Sequence, residues 1–464
     1  MEERSIRTNN KKPLIFIVMI VSFLQSIYAQ TWTALGDGLN GDAKVFTIYK
    51  DELYVGGLFT QAGSVNANHI AKWNGLNWST LGSGIDGPVE ALFVYNNELY
   101  VGGNFTHVDS VVRINIAKWN GTKWSSVPLD LDGVVASFAE YNGKLIIGGS
   151  FWHLGPSTNV GHIIKWDGLN ASNLEGGVNA VVTSLHVFNG ELYVGGAFTS
   201  QGVGNPISPY IAKWNDTTWL NVAGGCDQSV NTLTVYNSDL YLGGLFNDVS
   251  IDPGTMSVHY IAKWSGSHWG QLINSGGGYG VNSTVLALQV YNEELYVGGQ
   301  FTNGFGFGIA SKYIAKWNGL NWNSVGTGMD NEVYCLAVYN NELYIGGAFI
   351  KADSITAKHI AKYSLPTDVK FNSNNEVREY SISQNFPNPF NPDTKISYFV
   401  PQAGLVRLTI VDMLGREVSN LVNEYRQVGE YTAQWNASNE PSGVYFYRLV
   451  TGGFIQTQKM VLMK

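Results

Sequence analysis

The chain has 464 residues, of which 14% are charged and 13% are aromatic, and it contains 54 glycines. So few charged side chains cannot cover many long surface helices, whereas short strands joined by tight turns suit this composition. The net charge is −8 with no basic cluster beyond the N-terminal segment, which argues against a nucleic-acid partner. The only two cysteines, Cys226 and Cys335, provide neither a disulfide scaffold nor a cysteine-rich metal site. The composition predicts an all-β protein.

The N-terminal segment has the order of a secretory signal. Four basic residues precede the apolar run 14–24 (LIFIVMIVSFL), and small residues lie just before Gln30. This run of 11 residues is shorter than the roughly 20 that a bilayer-spanning helix needs. We therefore predict a cleavable signal peptide over 1–29, with an uncleaved anchor as the alternative. No later run predicts a transmembrane segment in the mature chain.

Seven copies of one repeat follow, each marked by a Gly-Gly pair. Their first glycines lie 46 to 55 residues apart, at Gly56, Gly102, Gly148, Gly195, Gly243, Gly298 and Gly346. Each repeat predicts four strands, which in the second repeat are Val89–Tyr95, Glu98–Gly103, Ile116–Trp119 and one that begins at Trp124. Four strands in about 45 residues are typical of a propeller blade. We predict a seven-bladed β-propeller over 30–366.

The two ends of this region complement each other. The segment from Thr31 to Gly36 matches a fourth strand without the first three, and the last repeat stops at Tyr363 before a fourth strand. We expect the N-terminal strand to complete the last blade, because this closes the ring and removes an exposed sheet edge.

The Gly-Gly pair followed by two spaced aromatic residues resembles the kelch-type repeats of galactose-oxidase-like propellers. The resemblance covers the chain from about Thr31 to Pro366. It implies the propeller fold but no single function, since kelch-like propellers serve as enzymes, adhesins and scaffolds.

The pattern changes after Leu365. A polar stretch over 367–379 predicts a linker. From Tyr380 to Lys464 apolar and polar residues alternate again, over 395–400, 406–411, 430–435 and 443–450 among others. Seven or so short strands in about 85 residues favour a small immunoglobulin-like β-sandwich.

Four motifs of this region resemble a type A sorting domain of the type IX secretion system. They are Asn385–Pro392 (NFPNPFNP), Val411–Val418 (VDMLGREV), Ser442–Tyr447 (SGVYFY) and the terminal Lys459–Lys464 (KMVLMK). The resemblance implies the type IX secretion machinery as a partner and export across the outer membrane of a Gram-negative bacterium of the Bacteroidetes type. It also implies removal of this domain, followed by release or attachment at the outer cell surface.

The most regular polar feature lies nine residues before the aromatic residue that ends each first strand. It comprises Asn40, Asp86, Asp132, Asn179, Asp227, Asn282 and Asp330. These side chains should ring the mouth of the central channel, where they could hold Ca²⁺ or bind a sugar. The alternative is that each one caps a turn by bonding to the backbone two residues on. No other cofactor is predicted.

Three further features have weaker functional interpretations. The lysines of the IAKW segments could bind anions, but pairing with acids on a neighbouring strand, such as Glu98 or Glu342, explains them more simply. The histidines before these segments lie on different blades, which argues against a zinc site. Trp152 breaks the repeat pattern and is a candidate aromatic contact for a sugar.

These features favour a secreted or cell-surface propeller that binds a glycan or a surface protein without catalysis. Two alternatives stay open. One is an extracellular polysaccharide-active enzyme that uses acids such as Asp86 and Asp132, and the other is a structural scaffold of the cell surface.

Overall fold

The computed structural model describes residues 31–202, 208–304, 308, 311–365, 380–401, 404–413, 416–426, 429–451 and 454–464. The predicted signal peptide (1–29) and linker (367–379) lie outside these residues. The described residues form strands and no helix, and they divide into two compact units, 31–365 and 380–464. Within the described part of the chain, no helix is available that could span a membrane.

The first unit contains seven four-stranded antiparallel sheets among its described residues, numbered 1 to 7 in the chain order of their first strands. The first strands are Ala43–Tyr49, Val89–Tyr95, Val135–Tyr141, Val182–Phe188, Val230–Tyr236, Val285–Tyr291 and Val333–Tyr339. The second strands are Glu52–Gly57, Glu98–Gly103, Lys144–Gly149, Glu191–Gly196, Asp239–Gly244, Glu294–Gly299 and Glu342–Gly347. The third strands are Ile70–Trp73, Ile116–Trp119, Ile163–Trp166, Ile211–Trp214, Ile261–Trp264, Ile314–Trp317 and Ile360–Ser364. The fourth strands are Trp78–Ser79, Trp124–Ser126, Ala171–Asn173, Trp219–Leu220, Trp269–Gly270, Trp322–Ser324 and, for sheet 7, Thr31–Ala34.

Short hairpins lie in the connections between second and third strands of sheets 1, 2, 3, 5 and 7. Their strands are Gln61–Ala62 with Val65–Asn66, His107–Val108 with Val111–Val112, His153–Leu154 with Thr158–Asn159, Asp248–Ser250 with Thr255–Ser257, and Lys351–Ala352 with Ile355–Thr356.

The sheets pack side by side in a propeller-like ring. Each first strand contacts the first strand of the next sheet, and the first strand of sheet 7 contacts that of sheet 1. Buried clusters combine residues of adjacent sheets, as where Tyr54 of sheet 1 and Trp119 of sheet 2 lie in one core. In sheets 4 and 5, Trp264 Nε1 donates a hydrogen bond to the Tyr193 hydroxyl at 3.2 Å. The aromatic residues of the repeat therefore form the packing between sheets.

The Gly-Gly pair allows two close approaches. A Cβ at Gly102 would collide with the side chain of Val135 in the next sheet, and a Cβ at Gly103 would collide with the carbonyl oxygen of Pro88. The second collision occurs because a bulge lies opposite the pair, between Val89 and Ala91 of the first strand. All seven first strands carry such a bulge at the same position.

The N-terminal strand completes sheet 7, as the sequence predicted. Thr31–Ala34 pairs antiparallel with the third strand, with Thr31 opposite Ser364 and Ala34 opposite Ala361. Trp32 is buried and lies 4.9 Å from the ring of Tyr363, measured between ring centroids. The ends of this unit are therefore joined by hydrogen bonds and aromatic packing, and the third strand of sheet 7 is not left as an edge.

The second unit has two sheets among its described residues. One contains Ser381–Ile382, Asp393–Val400 and Gly429–Asn436, and the other contains Gly404–Val411, Glu417–Arg426, Gly443–Thr451 and Phe454–Leu462. Side chains of both sheets share one core, including Ile396 and Trp435 from the first and Leu408 and Tyr447 from the second. The four strands that alternation predicted here all lie within observed strands.

Candidate ligand-binding site

The predicted Asn/Asp ring residues fasten one loop to another. In each sheet, Oδ1 of the ring residue accepts backbone N–H bonds from the residues 20 and 21 positions later, at 2.7–3.1 Å. The donors follow the second strand, so the partners are not the turn residues two positions on that the capping alternative named. The start of a first strand and the end of the antiparallel second strand meet at one edge of a sheet. We call the surface formed by these loops the loop face.

Two members of the ring also contact histidines. Asp86 Oδ2 lies 3.0 Å from His107 Nδ1, and Asp132 Oδ2 lies 2.8 Å from His153 Nδ1. Burial alone would raise the pKa of Asp132, but the bonds that His153 and Trp152 donate lower that pKa below its usual value. Burial would likewise raise the pKa of Asp86, but the bonds that Thr106 and His107 donate lower it. Both carboxylates are therefore ionised at neutral pH and serve as hydrogen-bond acceptors.

The ring residues do not converge on a metal site in the described part of the chain. No group of three or more His, Cys, Asp or Glu side chains there is placed to hold a metal ion. The four histidines near the IAKW segments, His69, His162, His259 and His359, belong to different sheets. Calcium binding by the ring residues thus stays a prediction. The Oδ1 atom of each ring residue already accepts two backbone N–H bonds.

A cavity of about 450 Å³ lies at the centre of the ring of sheets. It is lined by one residue from each first strand, namely Lys44, Glu90, Ala136, Thr183, Asn231, Leu286 and Tyr334, together with Pro88, Asn104 and Val134. Each of the seven is the second residue of its strand and is the extra residue of the bulge. A bulge turns its residue out of the ladder alternation, which explains why these side chains face the channel.

These channel residues differ in every repeat, whereas the residue before them is valine in six repeats and Ala43 in the first. Our sequence interpretation missed them because strand alternation does not reveal a bulge. Variation at one position of an otherwise regular repeat was the signal that could have identified them.

A second open cavity of about 580 Å³ lies on the loop face between sheets 1 and 2. Its lining is mostly polar and includes Asn68, His69, Asp86, His107 and Asp109. Asp109 accepts bonds from the amide and hydroxyl of Ser83, which lower its pKa. This cavity therefore brings one ring residue, Asp86, together with two histidines near the surface.

The lysines of the IAKW segments form ion pairs. Six of them bind the acid that opens the second strand of their own sheet at 2.6–2.9 Å. Sheet 3 has Lys144 in place of that acid, and there Lys165 binds Asp216 of sheet 4 at 2.9 Å. Asp216 occupies a turn position with a φ of 77°, where five other repeats have glycine, namely Gly75, Gly121, Gly168, Gly266 and Gly319. Pairing with an acid on the neighbouring strand therefore holds in six sheets, and in sheet 3 the lysine pairs with an acid of the next sheet instead.

Trp152 lies on the loop face in the connection after the second strand of sheet 3. Its side chain is 36% exposed, and its ring centroid lies 4.9 Å from that of His162 in an edge-to-face arrangement. Its backbone N–H donates to Asp132 at 2.7 Å. The exposed ring is available for stacking, and its position as a contact residue stays a prediction.

In the C-terminal unit, three of the four motifs bond to one another. Asn385 is buried, its Nδ2 donates to Thr394 Oγ1 at 2.9 Å, and its backbone N–H donates to the Tyr447 hydroxyl at 2.8 Å. Phe390 is tied to the terminal motif by its N–H bond to the Val461 carbonyl at 3.0 Å. The motifs are therefore framework residues that join distant segments of this unit.

The remaining motif, Val411–Val418, contributes to a surface cavity of about 330 Å³. Asp412, Met413, Arg416 and Tyr445 are among its lining residues. Arg416 Nε donates to Asp412 Oδ2 at 2.7 Å, while Met413 is 73% exposed.

Two family matches agree with this architecture. Residues 42–170 match the Rax2 C-terminal β-propeller domain, and residues 384–463 match the secretion system C-terminal sorting domain. The chain is thus an all-β protein with a propeller domain and a type IX sorting domain. The kelch-type assignment stays a prediction, because the match over the repeats is to the Rax2 domain.

Solved structures with remote similarity include PorZ, an essential bacterial surface component of the type IX secretion system of Porphyromonas gingivalis. That alignment has 14% identity and a TM-score of 0.37, and it covers 89% of this chain and 64% of PorZ. A protein of unknown function from Bacteroides thetaiotaomicron aligns at 11% identity and TM-score 0.34, over 72% of this chain and 76% of the other. A family 43 arabinoxylan arabinofuranohydrolase from Bacillus subtilis, in complex with cellotetraose, aligns at 12% identity and TM-score 0.25, over 92% and 94%. Similarity at this level carries no functional argument, and no curated protein matches the chain.

The sorting domain fixes the destination of the protein. A chain with this domain interacts with the type IX secretion machinery and is exported by it. The protein is therefore secreted or displayed on the outer cell surface of a Gram-negative bacterium of the Bacteroidetes type.

Proposed function

We propose that this protein is a non-catalytic binding module that uses the mouth of its central channel to bind a glycan. In this proposal the exported part is a seven-bladed, kelch-like propeller from which the signal peptide over 1–29 has been cleaved. The C-terminal unit is an immunoglobulin-like sandwich that directs type IX export.

One observation carries the proposal, namely that the seven bulge residues differ while the framework around them repeats. The Gly-Gly pairs, the aromatic residues, the Lys–acid pairs and the ring residues are all engaged in packing or hydrogen bonds. The bulge residues are outside the ladders, so strand pairing within a sheet places little demand on their identity. A position that varies on a fixed scaffold is where a binding protein changes its specificity.

The lining of the channel cavity supports a sugar ligand. Amide, hydroxyl, carboxylate and ammonium groups alternate there with the apolar side chains of Pro88, Val134, Ala136 and Leu286. Sugars present hydroxyl donors and acceptors along with apolar C–H faces, and mixed pockets of this volume suit such ligands.

The proposal is tested by binding of the full chain to a glycan and polysaccharide array, once with calcium and once with a chelator. We expect retention on a defined sugar that persists with the chelator. The Oδ1 atoms of the seven Asn/Asp ring residues already accept backbone N–H bonds, so binding should not depend on calcium. Absence of binding to every sugar in both conditions would overturn glycan binding and favour a protein partner. Release of shortened sugars during incubation would overturn the non-catalytic assignment.

A further inference from the structure

Some of the side chains that line the channel cavity already have hydrogen-bond or ionic partners, and others do not. Lys44 Nζ lies 3.3 Å from the centroid of the Tyr334 ring and 3.8 Å from Asp42 Oδ2. Thr183 Oγ1 donates to the Val230 carbonyl at 2.6 Å, and Asn231 Nδ2 donates to the Val285 carbonyl at 3.2 Å. Three of the polar lining residues therefore bond to their own or neighbouring strands.

Glu90 is different. Its side chain is partly buried in the cavity lining, and no hydrogen bond or ion pair engages it among the residues that the structure describes. Its neighbours in the lining include Pro88 and Ala136, whose side chains carry no donor for a carboxylate. The acceptor oxygens of Glu90 are therefore free to receive hydrogen bonds from a ligand that supplies donors.

The charged groups near the channel cavity determine which ligand groups are favoured there. Asp42 lies beside Lys44, and Glu332 accepts a bond from Gln300 at 2.9 Å. Burial and the nearby Glu332 carboxylate raise the pKa of Tyr334, so this lining phenol stays neutral. The lining thus holds one carboxylate, Glu90, and one ammonium, Lys44, while Asp42 lies beside Lys44 and Glu332 beside Tyr334. Carboxylates outnumber ammonium groups in this set. An acidic sugar would be repelled by this field, whereas a neutral or amine-bearing sugar would be attracted.

The dimensions limit how a glycan can enter. A cavity of about 450 Å³ is at the lower end of the range for small-molecule sites, roughly 300–1,000 Å³. It accommodates one or two sugar units and not a long chain lying across the ring. The bulge residues surround it on all sides, so a chain end inserts along the channel axis.

Resting on the proposed function, we infer that the channel mouth binds the terminal unit of a neutral or amine-bearing glycan, with Glu90 as the acceptor for its hydroxyl or ammonium donors. Glu90 is then the residue that sets the preference for an amino sugar over an acidic one.

The test is calorimetric titration of the full chain with three disaccharides, namely the glucosamine dimer, cellobiose and digalacturonic acid. We expect the glucosamine dimer to bind most tightly and digalacturonic acid not to bind. Glu90→Gln removes the charge and keeps the shape, and it should weaken binding of the glucosamine dimer at least about tenfold, which is about 1.4 kcal/mol. Glu140→Gln is the matched control, because Glu140 is an exposed acid on the neighbouring first strand outside the cavity. It should leave the affinity unchanged.

The unfolding midpoint of each variant shows that it is folded. Equal binding by the wild type and Glu90→Gln would overturn the channel site while leaving glycan binding by the protein intact. Binding of digalacturonic acid as tightly as the glucosamine dimer would overturn the selectivity. Failure of the wild type to bind any sugar on the array would instead overturn the proposed function itself.

Discussion

Each ring residue joins two loops through its backbone N–H bonds, and we call this arrangement the clamp. The contribution of the clamp to stability can be tested at Asp330. Its Oδ1 accepts the backbone N–H groups of Ile350 and Lys351, both at 2.9 Å. Replacement by alanine removes both bonds. Replacement by asparagine retains an acceptor oxygen in the same place, and three of the seven sheets use asparagine here naturally.

The expected magnitude follows from these two bonds. A hydrogen bond contributes about 0.5–1.5 kcal/mol net, and the exposed position lets water satisfy part of what is lost. We therefore expect Asp330→Ala to lower the free energy of unfolding by about 1–2 kcal/mol. Asp330→Asn should cost less than about 0.5 kcal/mol, since only the charge of the acceptor changes.

The assay is urea unfolding of the full chain followed by tryptophan fluorescence, with calcium and with a chelator. All of the 14 tryptophans except Trp435 belong to the propeller-like unit, so the signal reports mainly on the sheets. If asparagine destabilised as much as alanine, and if calcium stabilised only the wild type, the clamp explanation would be wrong. The carboxylate charge would then be what matters, as in the calcium-binding hypothesis.

Three further predictions concern other contacts. Asp216→Asn should lower stability at neutral pH by less than about 1 kcal/mol. The bond from Lys165 lowers the pKa of Asp216, so this contribution is present above the unfolded pKa near 3.9 and disappears as the pH falls through the folded value. Trp32→Ala should destabilise by about 3–5 kcal/mol and cause association through the freed strand of sheet 7, seen by unfolding and light scattering. Gly102→Ala should destabilise by about 1–3 kcal/mol, because its Cβ collides with Val135 of the next sheet.

Each of these has a contrary outcome and two have matched controls. An Asp216→Asn deficit that persisted at pH 2 would remove the ion pair as its cause. Trp152→Ala, which alters a 36% exposed ring, should cost far less than Trp32→Ala, and equal losses would contradict closure by the N-terminal strand. Gly276 has only the Asn274 side chain near its would-be Cβ, at 3.9 Å. If Gly276→Ala destabilised as much as Gly102→Ala, the steric explanation of the Gly-Gly pair would fail.

The strands were predictable because the repeat supplies seven independent copies of each signal. The bounds Val89–Tyr95, Glu98–Gly103 and Ile116–Trp119 are observed as predicted. The N-terminal strand with Trp32 also completes sheet 7, as predicted. Alternation of apolar and polar residues, tight-turn residues and the avoidance of exposed sheet edges can all be recognised in a single sequence.

The site residues were harder to predict because their partners are distant or irregular. The amides bound by Asp330 lie 20 and 21 residues away, so a turn-based rule names the wrong partner. The pairing of Lys165 with Asp216 crosses between sheets and replaces an acid that sheet 3 lacks. The exposure of Glu90 to the channel depends on one extra residue in its strand, which periodicity of two cannot locate.

The seven bulges have a consequence for evolution and engineering. Because each lies outside the register of its ladder, a substitution at Glu90 or an equivalent position leaves the pairing within its own sheet unchanged. At Thr183 and Asn231 it also removes a side-chain bond to the next sheet. The seven positions can then change one at a time, and a library randomised only there would consist mostly of folded members. Selecting such a library against different sugars would turn a single exported scaffold into a family of receptors.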